Sequence, residues 1–241
     1  MTSADATTLQ DFLAAARVDE AVFELRPDYR VLLLAVEGIG PAPSDATSEA
    51  LLAAAEAGAA AALRDTPVEE LPHIAAWREA YRAFGAKPQR TRNSLEALTR
   101  RAPDGLPRVN RLTDVYNAVS VAHQIPLGGE DLAKYQGAPH LVRAAGDEDF
   151  DVVADGEVAI EHPAAGEVVW RDDVGVTCRR WNWRQGLRTR LDEQTTSALF
   201  ILDLLAPVSD EQAHAAADEL VEQLRGTGPA PVTARRLIGR A

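Results

Sequence analysis

The sequence predicts an α+β fold, a single domain with helices packed on a mixed, mostly antiparallel sheet. Three observations carry this expectation. Two nearly continuous apolar runs, YRVLLLAVEGI from Tyr29 and LFILDLL over residues 199–205, have the length and composition of strands covered on both faces. Stretches at helical period, one of them rich in alanine, surround a β-rich segment beginning at His140. No long linker and no internal repeat divides the chain, so the elements are expected to share one domain over residues 1–226.

In chain order, residues 5–17 read as a helix with Leu9, Phe12, Leu13 and Ala16 on one face, and the run after Pro27 reads as a central strand. Gly38, Gly40, Pro41 and Pro43 break it. The alanine-rich helix over 47–65 has Ser44, Asp45 or Thr47 available as N-cap. The next helix, Pro72 to Phe84, places Ile74, Trp77, Tyr81 and Phe84 on one face, and Gly85 with Pro88 ends it. Lys87, Arg90 and Arg92 follow in a loop, then a short helix over 94–101 and a Pro-Gly-Pro turn.

The helix over 111–124 is more informative. Leu112, Val115, Val119 and Ala122 form its apolar face, and Thr113, Asn117, Ser120 and Gln124 form a second stripe beside it. That stripe is polar and uncharged. In so acidic a chain a solvated stripe would be expected to carry charges, so the row is either the wall of a pocket or an ordinary helix flank. IPLGGEDL, residues 125–132, reads as a loop in which Gly128 and Gly129 let the backbone approach a ligand and Glu130 and Asp131 open a short helix. HLVRAAG, GEVAI, GEVVW and VGVTCRRW read as strands, with a hairpin at Asp172, Asp173 and Gly175. A last helix runs from Ser209 to Arg225, and residues 227–241 read as an extended C-terminal tail.

Composition bounds the function. With 241 residues and 46% hydrophobic content the chain can bury a core of ordinary size. One cysteine, Cys178, excludes a disulfide framework and a multi-cysteine metal site. MTSADATTLQ lacks the pattern of a signal peptide, and no run approaches the roughly 18 apolar residues of a membrane span, so a cytoplasmic protein without a membrane partner is expected. The net charge of -12 disfavours polyanions. Its distribution does not. Residues 78–111 hold nine basic and three acidic residues, and residues 171–190 hold six and two, so fifteen of twenty-five positive charges sit in two windows. They either pair with carboxylates in the fold or meet a polyanion.

The second window, RDDVGVTCRRWNWRQGLRTR, interleaves arginines with Trp181, Asn182 and Trp183. Arginine and aromatic rings together can neutralise phosphates and stack on bases, whereas two tryptophans on alternate strand positions can equally form core. There is no GxSxG elbow, Walker loop, GxGxxG turn or zinc spacing, and no cofactor or metal is implied. A strand cysteine is usually a small core residue, so covalent catalysis has no strong candidate. Chemistry would have to rest on positioning a substrate and a water.

RAFGAKP (Arg82–Pro88), LPRVNRLTDVYNAVSVAHQIPLGGEDL (Leu106–Leu132), GEVVWRDDVGVTCRRWNWRQ (Gly166–Gln185) and TTSALFILD (Thr195–Asp203) together resemble the B3/B4 module, the editing domain in the β subunit of phenylalanyl-tRNA synthetase, and more closely its freestanding relatives. The resemblance covers roughly Ile74 to Asp203. It implies a deacylase that hydrolyses mischarged aminoacyl-tRNA in trans without a protein nucleophile, with the tRNA acceptor end as partner and no aminoacylation activity. The alternatives are a non-catalytic tRNA or RNA binder and a binder of small amino-acid-like molecules. On this resemblance Asn117, Glu130 and Asn182 are the expected catalytic residues. Asn110, Thr113, Ser120, Gly128, Gly129 and Asp131 are expected around the aminoacyl group, and Arg180, Trp181, Trp183 and Arg184 around the terminal adenosine and its phosphates. The amino acid, the tRNA and the oligomeric state are not legible in the sequence.

Overall fold

The computed structural model describes residues 3–40, 42–154, 156–225 and 230–240. Its elements are α1 (Ser3–Ala15), β1 (Arg17–Val18), α2 (Glu20–Leu25), β2 (Arg30–Glu37), α3 (Ala46–Ala62), α4 (Pro72–Ala83), α5 (Ser94–Arg101), α6 (Arg111–His123) and β3 (Leu127–Asp131). Then follow β4 (His140–Arg143), β5 (Phe150–Ala154), β6 (Glu157–Glu161), β7 (Val168–Arg171), β8 (Val176–Arg179), β9 (Arg184–Gln185), β10 (Ser197–Leu204), α7 (Asp210–Arg225) and β11 (Val232–Gly239). The fold is α+β, as expected.

A four-stranded antiparallel sheet in the order β11-β2-β10-β3 forms the centre, and a five-stranded sheet, β1-β4-β7-β8-β9, packs beside it. Only the β1–β4 pair is parallel among these ladders. The apolar runs of β2 and β10 pair over their full length because both faces are covered, which is why neither alternates with polar residues. One face, with Leu32, Leu34, Phe200 and Leu202, packs on α6 and α7 through Val115, Val119, Ala216 and Leu220. The other, with Leu33, Ala35, Leu199 and Ile201, meets Tyr29, Trp77, Trp170 and Trp181.

Two expectations are corrected. IPLGGEDL is not a loop: Leu127–Asp131 is strand β3, paired with Ala198–Leu202 of β10. Two glycines weaken an isolated strand, but here the ladder and its buried neighbours outweigh that preference. A Cβ on Gly129 would stand 2.7 Å from Leu191 and 3.0 Å from the Phe200 ring, so close packing demands glycine there. The stretch past residue 226 is likewise no tail outside the domain, because β11 pairs residue for residue with β2 from Val232↔Glu37 to Gly239↔Arg30. Arg236 fastens it by donating to the carbonyls of Leu13 and Ala14 in the last turn of α1 and of Ala16 just past it. Prolines and glycines preceding it obscure the short apolar period of VTARRLIG.

Candidate functional site

A cavity of about 260 Å³ opens between the central sheet, the β7–β9 end of the second sheet and the helices α5 and α6. Each wall follows from local sequence. Antiparallel partners share a face, so the register Leu199↔Glu130 and Ile201↔Gly128 puts Glu130, Gly128, Ile201 and, two residues on, Asp203 on one surface of the sheet. All four line the cavity. Asn117 reaches it from α6, whose N-terminus is capped by Asn110 accepting from the Thr113 N–H at 2.8 Å.

The third wall is a turn that the strand reading missed. β8 ends at Arg179, and Arg180 and Trp181 then adopt positive φ of 48° and 69°. Two such residues cost about 2–4 kcal/mol together, since only glycine visits this region freely. Burying one indole returns about 4–6 kcal/mol, and Trp181 is wholly buried against Tyr29 and Trp77. The turn thus drives Trp181 into the core and leaves Asn182 over the cavity. The Ser94 N–H at the start of α5 fixes the turn by donating to the Asn182 carbonyl at 3.0 Å.

Asn182 belongs to a buried chain of hydrogen bonds. Tyr81 Oη donates to its Oδ1 at 3.0 Å, its Nδ2 donates to Asp203 Oδ2 at 3.2 Å, and Tyr29 Oη donates to Asp203 Oδ1 at 2.6 Å. An amide nitrogen carries two hydrogens, so Asn182 retains one donor for a ligand. Asp203 was not singled out in the sequence, although a carboxyl in the middle of LFILDLL is the signal that could have found it: a charge on a doubly covered strand needs a reason. Burial pushes its pKa up to about 7 despite the Tyr29 and Asn182 donors. Glu130 is also pushed up to about 7 by burial, against hydrogen bonding from Tyr135 and Thr177. The Tyr135 hydroxyl donates to Glu130 Oε2, while Oε1 makes no well-formed hydrogen bond among the described residues.

Of the expected catalytic residues, Asn117, Glu130 and Asn182 all line this cavity, as do Gly128, Trp181, Trp183 and Arg184. The others do not. Asn110 and Thr113 are occupied with the N-terminus of α6. Ser120 Oγ donates to the Ile125 carbonyl at 2.6 Å, closing the other end of the helix, so only Asn117 of the polar stripe faces the cavity. Gly129 is packed under Leu191 and Phe200, although its carbonyl accepts from the cavity residue Gln185 at 2.6 Å. Asp131 accepts from Ala133 N–H and Thr195 Oγ1, tying down the turn after β3. Cys178 is also in the wall, but burial and the carboxyls of Glu130 and Asp203 push its thiol pKa well up, so it stays protonated.

Most of the clustered arginines are paired within the fold. Arg78 and Arg100 meet the buried Glu96, Arg108 meets Glu49 and Glu56, Arg179 meets Glu167, and Arg188 meets Asp172. Arg180 pairs with Glu167 at 3.5 Å and belongs to a neighbouring groove with Lys87 and Arg90 rather than to the cavity. Its guanidinium nevertheless stacks on Trp183, 4.4 Å from the ring centre, so groove and cavity share a wall. Of the fifteen basic residues in the two windows, Arg101 and Arg171 donate to the carbonyls of Gly105 and Asp172, and Arg82, Lys87, Arg90, Arg184 and Arg190 have no ion-pair partner among the described residues.

No helix among the described residues is long and apolar enough to cross a membrane. No curated protein matches the chain. Among solved structures, an N-terminal fragment of the phenylalanyl-tRNA synthetase β subunit from Pyrococcus horikoshii aligns with 94% of this chain at 13% identity and a TM-score of 0.46. The chain spans 54% of the length of that fragment. A sequence profile of the B3/4 domain matches residues 76–227, a segment that holds every lining residue of the cavity and more than half of the protein. The chain therefore belongs to the B3/4 domain family.

Proposed function

We propose that the protein is a deacylase that hydrolyses the ester of mischarged aminoacyl-tRNA. The observation that carries this reading is the convergence of Asn117, Asn182, Glu130 and Asp203, from four separate elements, on one cavity of a B3/4 domain. An aminoacyl ester presents an ammonium, a carbonyl and a ribose. A buried carboxyl supplies an acceptor for the ammonium, and the free N–H of Asn182 with the Asn117 carboxamide supplies donors for the ester carbonyl. Water adds to the carbonyl carbon, the bond to the ribose oxygen breaks, and that oxygen takes a proton, leaving free amino acid and tRNA.

The acceptor end would enter past Arg184 and Trp183, with the Lys87, Arg90 and Arg180 groove beside it for phosphates. Exposed Lys87 and Arg90 also favour a second reading, binding of tRNA without hydrolysis. Incubation with a panel of mischarged tRNAs separates the two. Acceleration of ester loss that Asn182→Ala removes supports the deacylase. Ester loss at the spontaneous rate for every tRNA, with binding retained, supports the second reading.

A further inference from the structure

This inference rests on the reading of the cavity as an aminoacyl site and names its substrate class. Asp203 lies four residues beyond Leu199 on β10, and Leu199 stands opposite Glu130, so the two acidic positions are roughly 14 Å apart on one face of the sheet. Between them lie Ile201 and Gly128, whose missing side chain leaves the floor open. Among the described residues neither carboxyl has a basic side chain hydrogen-bonded to it. Arg188, which acts on Glu130 through space, is held by both oxygens of Asp172 at 2.7 and 2.8 Å. Glu130 Oε1 is fully buried, with the Thr177 hydroxyl beside it but no well-formed hydrogen bond. An acceptor in that state stays costly until a ligand donates to it.

A single α-ammonium can satisfy one of these carboxyls only. We infer that the cavity takes an aminoacyl group whose side chain ends in a second amine, with the α-ammonium at Asp203 and the side-chain ammonium at Glu130. Two ammonium groups joined by five carbons span roughly 6–7 Å, and a charged hydrogen bond of about 2.8 Å at each end extends this to about 12 Å, a length on the scale of the separation of the two backbone positions. Leu127, Ile201 and the rings of Trp170 and Trp181 enclose the methylenes. The raised pKa values of both carboxyls fit acids that wait neutral for cations.

The test compares tRNAs charged with lysine, ornithine, tyrosine and methionine, and in parallel the calorimetric binding of L-lysinamide and L-norleucinamide, which differ by the terminal amine. Lysyl and ornithyl esters should be lost at least about tenfold faster than the other two, and lysinamide should bind at least about tenfold tighter than norleucinamide. At pH 6 lysinamide should release about one proton more, and Glu130→Gln, with its fold checked by thermal melting, should abolish the difference in affinity. Hydrolysis of tyrosyl or methionyl esters without preference for the diamino acids, or equal affinity for the two amides, overturns the inference and leaves the deacylase reading standing. Preferential lysinamide binding without hydrolysis of any ester supports the inference as to ligand and removes the deacylase.

Discussion

Asn182 illustrates how much a single side chain can be made to do by its neighbours. Its carboxamide is held at both ends, by Tyr81 on the oxygen and Asp203 on the nitrogen, so its orientation over the cavity is set before a substrate arrives. Asn182→Ala leaves those partners without their bonds and should cost about 1–3 kcal/mol in urea denaturation, besides removing the proposed deacylase activity. Cys178→Ala should keep most of the activity, because the thiol stays protonated; a loss of more than about a hundredfold would mean a nucleophile after all. The raised carboxyls also set a pH dependence. The folded state holds protons on Asp203 and Glu130 that the unfolded chain has released, so stability from these two groups is full below about pH 4 and is lost as pH rises through about 7. His73 acts in the opposite sense. Burial lowers its pKa to about 4, so its contribution is full above about 6.5 and is lost as pH falls through about 4. Asp203→Asn should therefore gain stability relative to wild type as pH rises from 4 to 7, measured as the difference in Tm across that range.

At the scale of elements, β3 shows two adjacent glycines with different reasons to be there. Gly129 has no room for a methyl group, so Gly129→Ala should destabilise by about 1–3 kcal/mol. A Cβ on Gly128 would meet only the Gln185 amide at an ordinary 3.5 Å while occupying cavity space. Gly128→Ala should leave Tm within about a degree or two and weaken substrate binding. Equal loss of Tm in both variants would contradict this division. The sequence identified the pair as permitting a close approach, which holds, but the approach at Gly129 is to Leu191 and Phe200 rather than to a ligand. His73 is a comparable fastener: Nδ1 donates to the Gln124 carbonyl, and Nε2 accepts from Trp77 Nε1 and the Leu205 N–H, tying α4, the end of α6 and the end of β10 together.

On the scale of the whole molecule, charge clustering overstated the surface available to a polyanion. Two windows hold fifteen positive charges, yet folding spends many of them on Glu96, Glu49, Glu56, Glu167 and Asp172. If Arg82, Lys87, Arg90, Arg184 and Arg190 carry tRNA binding, the affinity should fall with salt with a slope of about -3 to -5 in logarithmic terms. A slope near -10 would mean that the internal pairs open on binding. Helices and the two apolar central strands were legible because their periods and caps are local properties of the chain. Asn117, Glu130 and Asn182 were named on family resemblance before their meeting in one cavity was visible. The sequence by itself determined the α+β class and most elements. Only the tertiary structure decided that β11 closes the sheet, that Trp181 is core while Asn182 faces the cavity, and that Asp203 joins the site. The physical reason is the same for all three: strand partners, a left-handed turn supported by a buried indole, and the face a residue shares with a neighbouring strand depend on contacts between residues far apart in the chain.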